Sequence, residues 1–387
     1  WWDQWLKGKD TGIMNEPRLR VWMQDAVSPF TRYDERPGRW VSEPVWPSPN
    51  ISEQRYALGE GGRLVPLAPE QSPEEVGGSE HLPEISPLSV GLFAGKWCAY
   101  ASAPDLPGDQ REEDGGALVF QTAPLRKPLE LLGRAVIELD VEADEPVAML
   151  CVRLSDMGLD QKSTRVTYGL LNLTHRDSRE HPAPLEPGKR YRVHINLNDV
   201  GHRFPEGHRV RLSISTSYWP LAWPPPRKTR VVVHTAGCIA RLPIRSPESP
   251  DGEVHFLPPE GARKMDIKQI EPSDYSWRIT RDLADDLSTL EVVGDGGTVY
   301  FPDSDLTVER ASRERYAFRG DDFNSVRGET CASRSFQRGD WSVRIETRTV
   351  LSSTAEAFSI SAELDAYEGD VRVFSRNWQR DIPRRLV

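Results

Sequence analysis

A serine set between glycines is the first pattern that could supply a nucleophile, and the nearest approach here is Gly77-Gly78-Ser79-Glu80-His81. A nucleophile elbow needs glycine on both sides of the serine so that the strained strand-to-helix turn can close. The last glycine is missing and the segment lies among prolines, so it reads as a surface turn. H-E-x-x-H, P-loop and G-x-G-x-x-G patterns are absent from the sequence, which removes metalloprotease and nucleotide readings. His175 with His181, and His202 with His208, are each six residues apart in turns and lack tightly spaced carboxylate or thiolate partners. They read as turn and strand-end histidines satisfied by backbone. Asp285-Asp286, Asp303 with Asp305, and Asp321-Asp322 lack the glycine and distal glutamate of a calcium loop and read as solvated hairpin tips. Neither a metal nor a cofactor is expected, and no catalytic residue is assigned.

The most unusual local chemistry is aromatic. Tyr218-Trp219-Pro220-Leu221-Ala222-Trp223-Pro224-Pro225-Pro226 could form a rigid surface on which a sugar or a Pro-rich peptide stacks. It could equally be the exit of a core strand whose rings pack against a neighbouring domain, and that structural reading is preferred.

The elements that must position these residues are mostly strands. Trp1, Trp2, Trp5 and Leu6 recur at helical spacing before Lys7-Gly8, which predicts one short helix with a glycine C-cap. Leu19 to Met23 follows as a brief strand. From Ser28 to about Asp114, prolines interrupt every short pattern, and this segment is expected to wrap over a β domain as long excursions. From Ala117 the period becomes two. Ile137, Leu139 and Val141 alternate with acids, as do Tyr191, Val193, Ile195 and Leu197 with polar residues, and Val210, Leu212 and Ile214 with Arg and Ser. Half-buried antiparallel strands with Pro/Gly turns between them predict a β-sandwich or jelly roll. The Pro-rich stretch 246–261 reads as a linker. Beyond it a second alternating series predicts a β-meander of about seven strands, closed or nearly so, over 262–387.

Composition sets the bounds. The chain has 387 residues, 37% hydrophobic and 28% charged, with a mean hydropathy of -0.56 and no apolar run near the ~18 residues of a membrane-spanning helix. Net charge is -10, so nucleic acid is a poor partner. The 32 Pro and 29 Gly break long helices and favour an all-β fold. Cys98, Cys151, Cys238 and Cys331 are too far apart in sequence for a zinc or redox motif. Cys151 reads as a small buried hydrophobe, and a reduced, cytoplasmic chain is expected. The opening Trp1-Trp2-Asp3 has neither an initiator Met nor a signal peptide; the chain reads as a piece of something larger.

Several segments in order resemble the C-terminal part of the CocE/NonD and X-Pro dipeptidyl-peptidase-like serine hydrolases. They are Trp5-Leu6-Lys7-Gly8, Pro17 to Met23, Pro107-Gly108-Asp109-Gln110-Arg111, Leu173-Thr174-His175-Arg176, Phe204-Pro205-Glu206-Gly207-His208-Arg209 and Trp219 to Pro226. The resemblance covers about residues 1–243. It implies a galactose-binding-like jelly roll at 26–245, preceded at 1–25 by the last helix and strand of an α/β-hydrolase domain. The family's Ser-His-Asp triad has no counterpart in this sequence, so the chain alone is expected to be inactive.

The resemblance implies further that the loop Gly95 to Tyr100 reaches the substrate cleft, with Trp97 and Tyr100 as lining residues; ordinary packing between domains is the competing reading. The expected partners are the catalytic domain and, in the intact enzyme, a small ester or peptide substrate. Oligomeric state is left open. A carbohydrate-binding module, with Trp219 and Trp223 as stacking faces, is the alternative function.

Overall fold

The computed structural model describes residues 1–100, 104–246, 254, 256, 258 and 261–387. Among the described residues the protein is 51% strand and 7% helix, with the strands divided between a 14-stranded and an 8-stranded sheet. The chain opens with the α-helix Trp2–Lys7, closed by Gly8 at φ 62° with the Lys9 amide returning to Asp3 O. None of its residues is buried.

The first sheet is organised around the 15-residue strand Val231–Arg245. That strand pairs antiparallel with Ile51–Gly59, His81–Glu84, Leu129–Gly133 and Val136–Ala143. A break in register between His234 and Ile239, with Gly237 at φ 80°, lets one strand serve two sets of neighbours. On the other side Met149–Met157 lies between Ser163–Asn172 and Arg209–Ser215. The alternation read from the sequence sets the core: Ile137, Leu139 and Val141 are buried together with Val193, Ile195, Val210, Leu212 and Ile214.

The structure corrects three expectations. Leu19–Asp25, placed with a preceding α/β-hydrolase domain, belongs to the first sheet. It pairs antiparallel with Gly38–Glu43 and parallel with Val200–Phe204, and Met23 is buried against Val41 and Leu132. The Pro-rich segment 28–114 supplies Gly38–Glu43, Ile51–Gly59, Arg63–Pro66 and His81–Glu84 to the sheet and is not mere wrapping loop. Most of its prolines fall between strands, and Pro83 sits in the short strand His81–Glu84. The second sheet, expected to be closed or nearly so, is open among the described residues, where it has eight strands. Among the described residues its last strand, Val371–Pro383, pairs only with Ala357–Glu368.

Long hairpins build that second sheet from Leu287–Phe301, Leu306–Arg319, Arg327–Arg338, Trp341–Ser353, Ala357–Glu368 and Val371–Pro383. Gly369, at φ 53°, turns the last of them. The stretch read as a linker, 246–261, lies mostly outside the described residues.

The two sheets meet through aromatic side chains. Trp219 packs with Leu88 and Leu92 of the first unit and with Leu290, Phe318 and Phe323 of the second. Arg384, beyond the last strand, donates from Nη2 to Pro224 O at 2.6 Å and stacks over Phe358. Leu386 O accepts from Asn172 Nδ2 at 2.7 Å and Thr174 Oγ1 at 3.0 Å. The C-terminal tail thus returns to the first sheet.

Candidate functional site

The loop that carries Trp97 is held from beneath by the Pro107–Asp114 segment. Gln110 Nε2 donates to Phe93 O at 3.1 Å and to Gly108 O at 2.9 Å. Glu113 accepts from the Phe93 amide at 2.6 Å and from the Gly91 amide. Burial raises the Glu113 pKa above the ordinary carboxylate value, an effect opposed by Arg153, whose Nη1 is 3.8 Å away. Asp114 is the second anchor and accepts from Arg153, Arg211 and Ser213 at 3.1, 2.8 and 2.7 Å. Gly95 sits at φ 72° against Pro107, and a Cβ there would lie 2.7 Å from the Pro107 nitrogen. The acids and glycines of this motif therefore act as the support that fixes the loop.

Above that support the expected cleft residues are open. Trp97 is 67% exposed and Tyr100 80% exposed. The Trp97 ring meets Tyr168 edge-on at 6.4 Å, Arg165 lies over the Tyr168 ring, and the Tyr100 amide donates to Asp105 Oδ2 at 2.7 Å. Trp97 also walls a cavity of about 270 Å³ whose other sides include Leu221, Trp277 and Tyr316. Glu314 sits in its lining and accepts from Lys96 Nζ at 2.7 Å and from Tyr316 OH at 3.0 Å. Burial, reinforced by the Glu314 charge, raises the Tyr316 phenol pKa. Both oxygens of the carboxylate are engaged, so the cavity presents mainly apolar walls. Trp277, Glu314 and Tyr316 come from the second sheet. Their separation from Trp97 by about 180 residues or more leaves no local signal by which the sequence could have joined them.

Tyr218, Trp219 and Trp223 do not form an open surface. Tyr218 is fully buried and bonds Arg165, and Trp219 is 2% exposed. The Trp219 ring packs edge-on against Trp223 at 4.8 Å and Tyr316 at 5.8 Å, and Trp223 Nε1 donates to Ser353 Oγ at 2.9 Å. The sugar-stacking alternative loses its surface on this geometry, because the faces it needs are covered by the second sheet.

The histidines also differ from expectation. His202 Nε2 and His208 Nδ1 meet the two oxygens of one buried carboxylate, Asp156, at 3.0 and 2.7 Å. Side-chain charge, not backbone, satisfies them. Burial lowers the His202 pKa, and Asp156 only partly offsets this. Among the described residues no group of three or more His, Cys, Asp or Glu side chains is placed to hold a metal ion, and no helix is long and apolar enough to cross a membrane. The four cysteines are free, and burial pushes the Cys151 thiol up to about 12.

In this all-β unit the polar side chains of the Pro107–Asp114 segment support the Trp97 loop. The chain belongs to the X-Pro dipeptidyl-peptidase C-terminal non-catalytic domain family, whose model matches residues 11–246. A Mycobacterium bovis protein that carries a serine-esterase name is 27% identical over 235 residues, which cover 55% of this chain and 34% of that protein. The cocaine esterase of Rhodococcus sp. is 22% identical over 223 residues, 56% of this chain and 37% of the esterase. A Bacillus anthracis protein that carries an Xaa-Pro dipeptidyl-peptidase name is 23% identical over 237 residues, 60% of this chain and 34% of that protein. The chain spans about a third of the length of these relatives. Its second sheet lies beyond the residues that the family model matches.

Proposed function

We propose that this chain is the supporting C-terminal region of a longer serine hydrolase that acts on esters or peptides, in the manner of the esterase and X-Pro dipeptidyl-peptidase relatives. Its α/β-hydrolase partner domain would perform acyl transfer through a Ser-His-Asp triad. The loop around Trp97 and Tyr100 would form one wall of the substrate cleft, and the second sheet would extend that wall through Trp277 and Tyr316. The observation that carries this reading is the exposure of Trp97 on a loop fixed by so many buried polar contacts. A scaffold of this kind holds a large aromatic side chain in water only at a cost, which contact with substrate or with another domain would offset.

Helix Trp2–Lys7 points the same way. Trp1, Trp2, Trp5 and Leu6 are each more than half exposed and form an apolar surface that nothing in this chain covers among the described residues.

The test is reconstitution. The chain alone should not turn over a p-nitrophenyl ester, whereas the chain joined to an α/β-hydrolase domain of a relative should do so with sensitivity to a serine-directed inhibitor. Inhibitor-sensitive turnover by the chain alone would refute the proposal.

A further inference from the structure

The part of the second sheet that meets the Trp97 loop is built in two cross-strand rows. Trp277, Val292 and Glu314 are register partners on three adjacent strands, and Leu290 pairs with Tyr316 in the next row on the same side. Residues two apart on a strand share a face, so all five side chains stand on one side of the sheet. With Trp97 and Leu221 they line the cavity of about 270 Å³. Trp277, Glu314 and Tyr316 all fall outside residues 11–246, the part that the family model matches. The cavity therefore exists only because this chain carries a second sheet.

Size and charge define what fits. A dry apolar cavity of roughly 150 Å³ already holds a benzene ring, and this one is nearly twice as large. Three aromatic walls, Trp97, Trp277 and Tyr316, offer edges and faces to a flat ring system. Among the described residues its lining carries two charged groups, Lys96 and Glu314, and these form one ion pair at 2.7 Å. The other Glu314 oxygen accepts from Tyr316 OH at 3.0 Å. An ionic ligand would have to break that pair or enter without a counter-charge, which costs more than it returns. A heavily hydroxylated ligand would lose hydration that mainly apolar walls do not replace.

We propose that this cavity binds a neutral, planar aromatic group of about two fused rings, and that Lys96 sets the preference for a neutral occupant by holding the Glu314 carboxylate. Lys96 is thus a specificity-determining residue. Without its ammonium, Glu314 would face the cavity as an uncompensated anion beside three rings, a setting that attracts a cation. Use of the cavity for the aromatic part of a substrate rests on the function proposed above, whereas binding by the chain alone does not.

Calorimetric titration of the 387-residue chain with naphthylmethanol and with its near-isostere naphthylmethylammonium tests the proposal. The alcohol should bind with a dissociation constant on the order of 0.1 mM, and the ammonium about tenfold or more weakly. Trp277→Ala should weaken the alcohol about tenfold by removing one aromatic wall. Cys98→Trp should do the same by filling the mouth from an exposed lining position, so that one variant spares the sheet entirely. An unchanged circular dichroism spectrum and melting temperature would show that each variant is folded. Lys96→Met should reverse the preference in favour of the ammonium, and adding Glu314→Gln should cancel that reversal. Absence of alcohol binding at millimolar concentration would overturn the proposal, as would binding indifferent to both Trp277→Ala and Cys98→Trp. A preference that Lys96→Met leaves unchanged would overturn the role given to Lys96. All these readings are made without a catalytic domain, so a negative result removes the site and leaves the proposed function to its own reconstitution test.

Discussion

Trp219 and Tyr316 pack edge-on at 5.8 Å, one from the first sheet's loop region and the other from the second sheet. Around this pair lie Leu88, Leu92, Leu290, Phe318 and Phe323, and Trp223 Nε1 reaches Ser353 close by. The junction is therefore a small shared core. It also explains why the cavity beside Trp97 has a wall from each sheet: the rings that join the sheets place Trp277 and Glu314 next to the loop.

From this follows the first prediction. Trp219→Ala should destabilise the chain by about 3–5 kcal/mol, as expected when a buried indole is removed and its cavity cannot close. Because the loss falls on the junction, urea unfolding followed by fluorescence and by circular dichroism should cease to coincide as the sheets uncouple. A loss under about 1 kcal/mol with coincident curves would contradict the packing described.

The parts of this arrangement that could be read from sequence are those with local causes. The alternation of Ile137, Leu139 and Val141 with acids sets the burial of Val136–Ala143, and Lys7-Gly8 marks the helix end because only a left-handed residue closes it there. The strands within 28–114 are masked in the sequence by the frequency of proline, which signals loop even where its spacing leaves room for a strand; Ile51–Gly59 fits between Pro49 and Pro66 without interruption. Openness of the second sheet was not legible, since closure depends on curvature and on which edges meet, and alternation reports neither. In the candidate site Trp97 and Tyr100 came from a resemblance. Glu314, Tyr316 and Asp156 had no signal, because an ordinary strand residue gains its role only from partners far along the chain.

Glu113 should be the residue that fixes the Trp97 loop. Glu113→Ala removes the acceptor of the Gly91 and Phe93 amides and one counter-charge of Arg153. A loss of about 3–5 kcal/mol is expected for breaking one side of a buried charged pair, and Glu113→Gln should lose less because an amide oxygen still accepts. Hydrogen exchange of the amides from Gly91 to Lys96 is the direct readout. Unaltered protection in Glu113→Ala would show that the loop is held by something else.

Stability should fall on acidification because of His202. Its pKa lies below the ordinary 6.5, lowered first by burial, with Asp156 acting in the opposite direction. Between the folded and unfolded values the unfolded chain binds the extra proton, so stability rises with pH. The contribution is complete above 6.5 and is lost as pH falls below it, with a slope of at most about 1.4 kcal/mol per pH unit. Urea midpoints at about pH 7.5 and about pH 5.5 should separate in the wild type and draw together in His202→Gln. An identical separation in both proteins would assign the effect to other groups.

The last prediction separates a substrate wall from simple packing. Trp97 and Tyr100 are mostly exposed, so Trp97→Ala and Tyr100→Ala should change the stability of this chain by no more than about 0.5 kcal/mol. In the reconstituted hydrolase the same substitutions should raise KM for substrates with a bulky apolar group while leaving KM for small acetyl esters nearly unchanged. Loss of one apolar contact corresponds to about 1–3 kcal/mol, or roughly tenfold or more in kcat/KM. Contact with the partner domain alone would behave differently: association of the two parts would weaken, and the effect on KM would be the same for large and small substrates. Measuring both association and the KM ratio therefore decides between a residue that touches substrate and one that only holds the domains together.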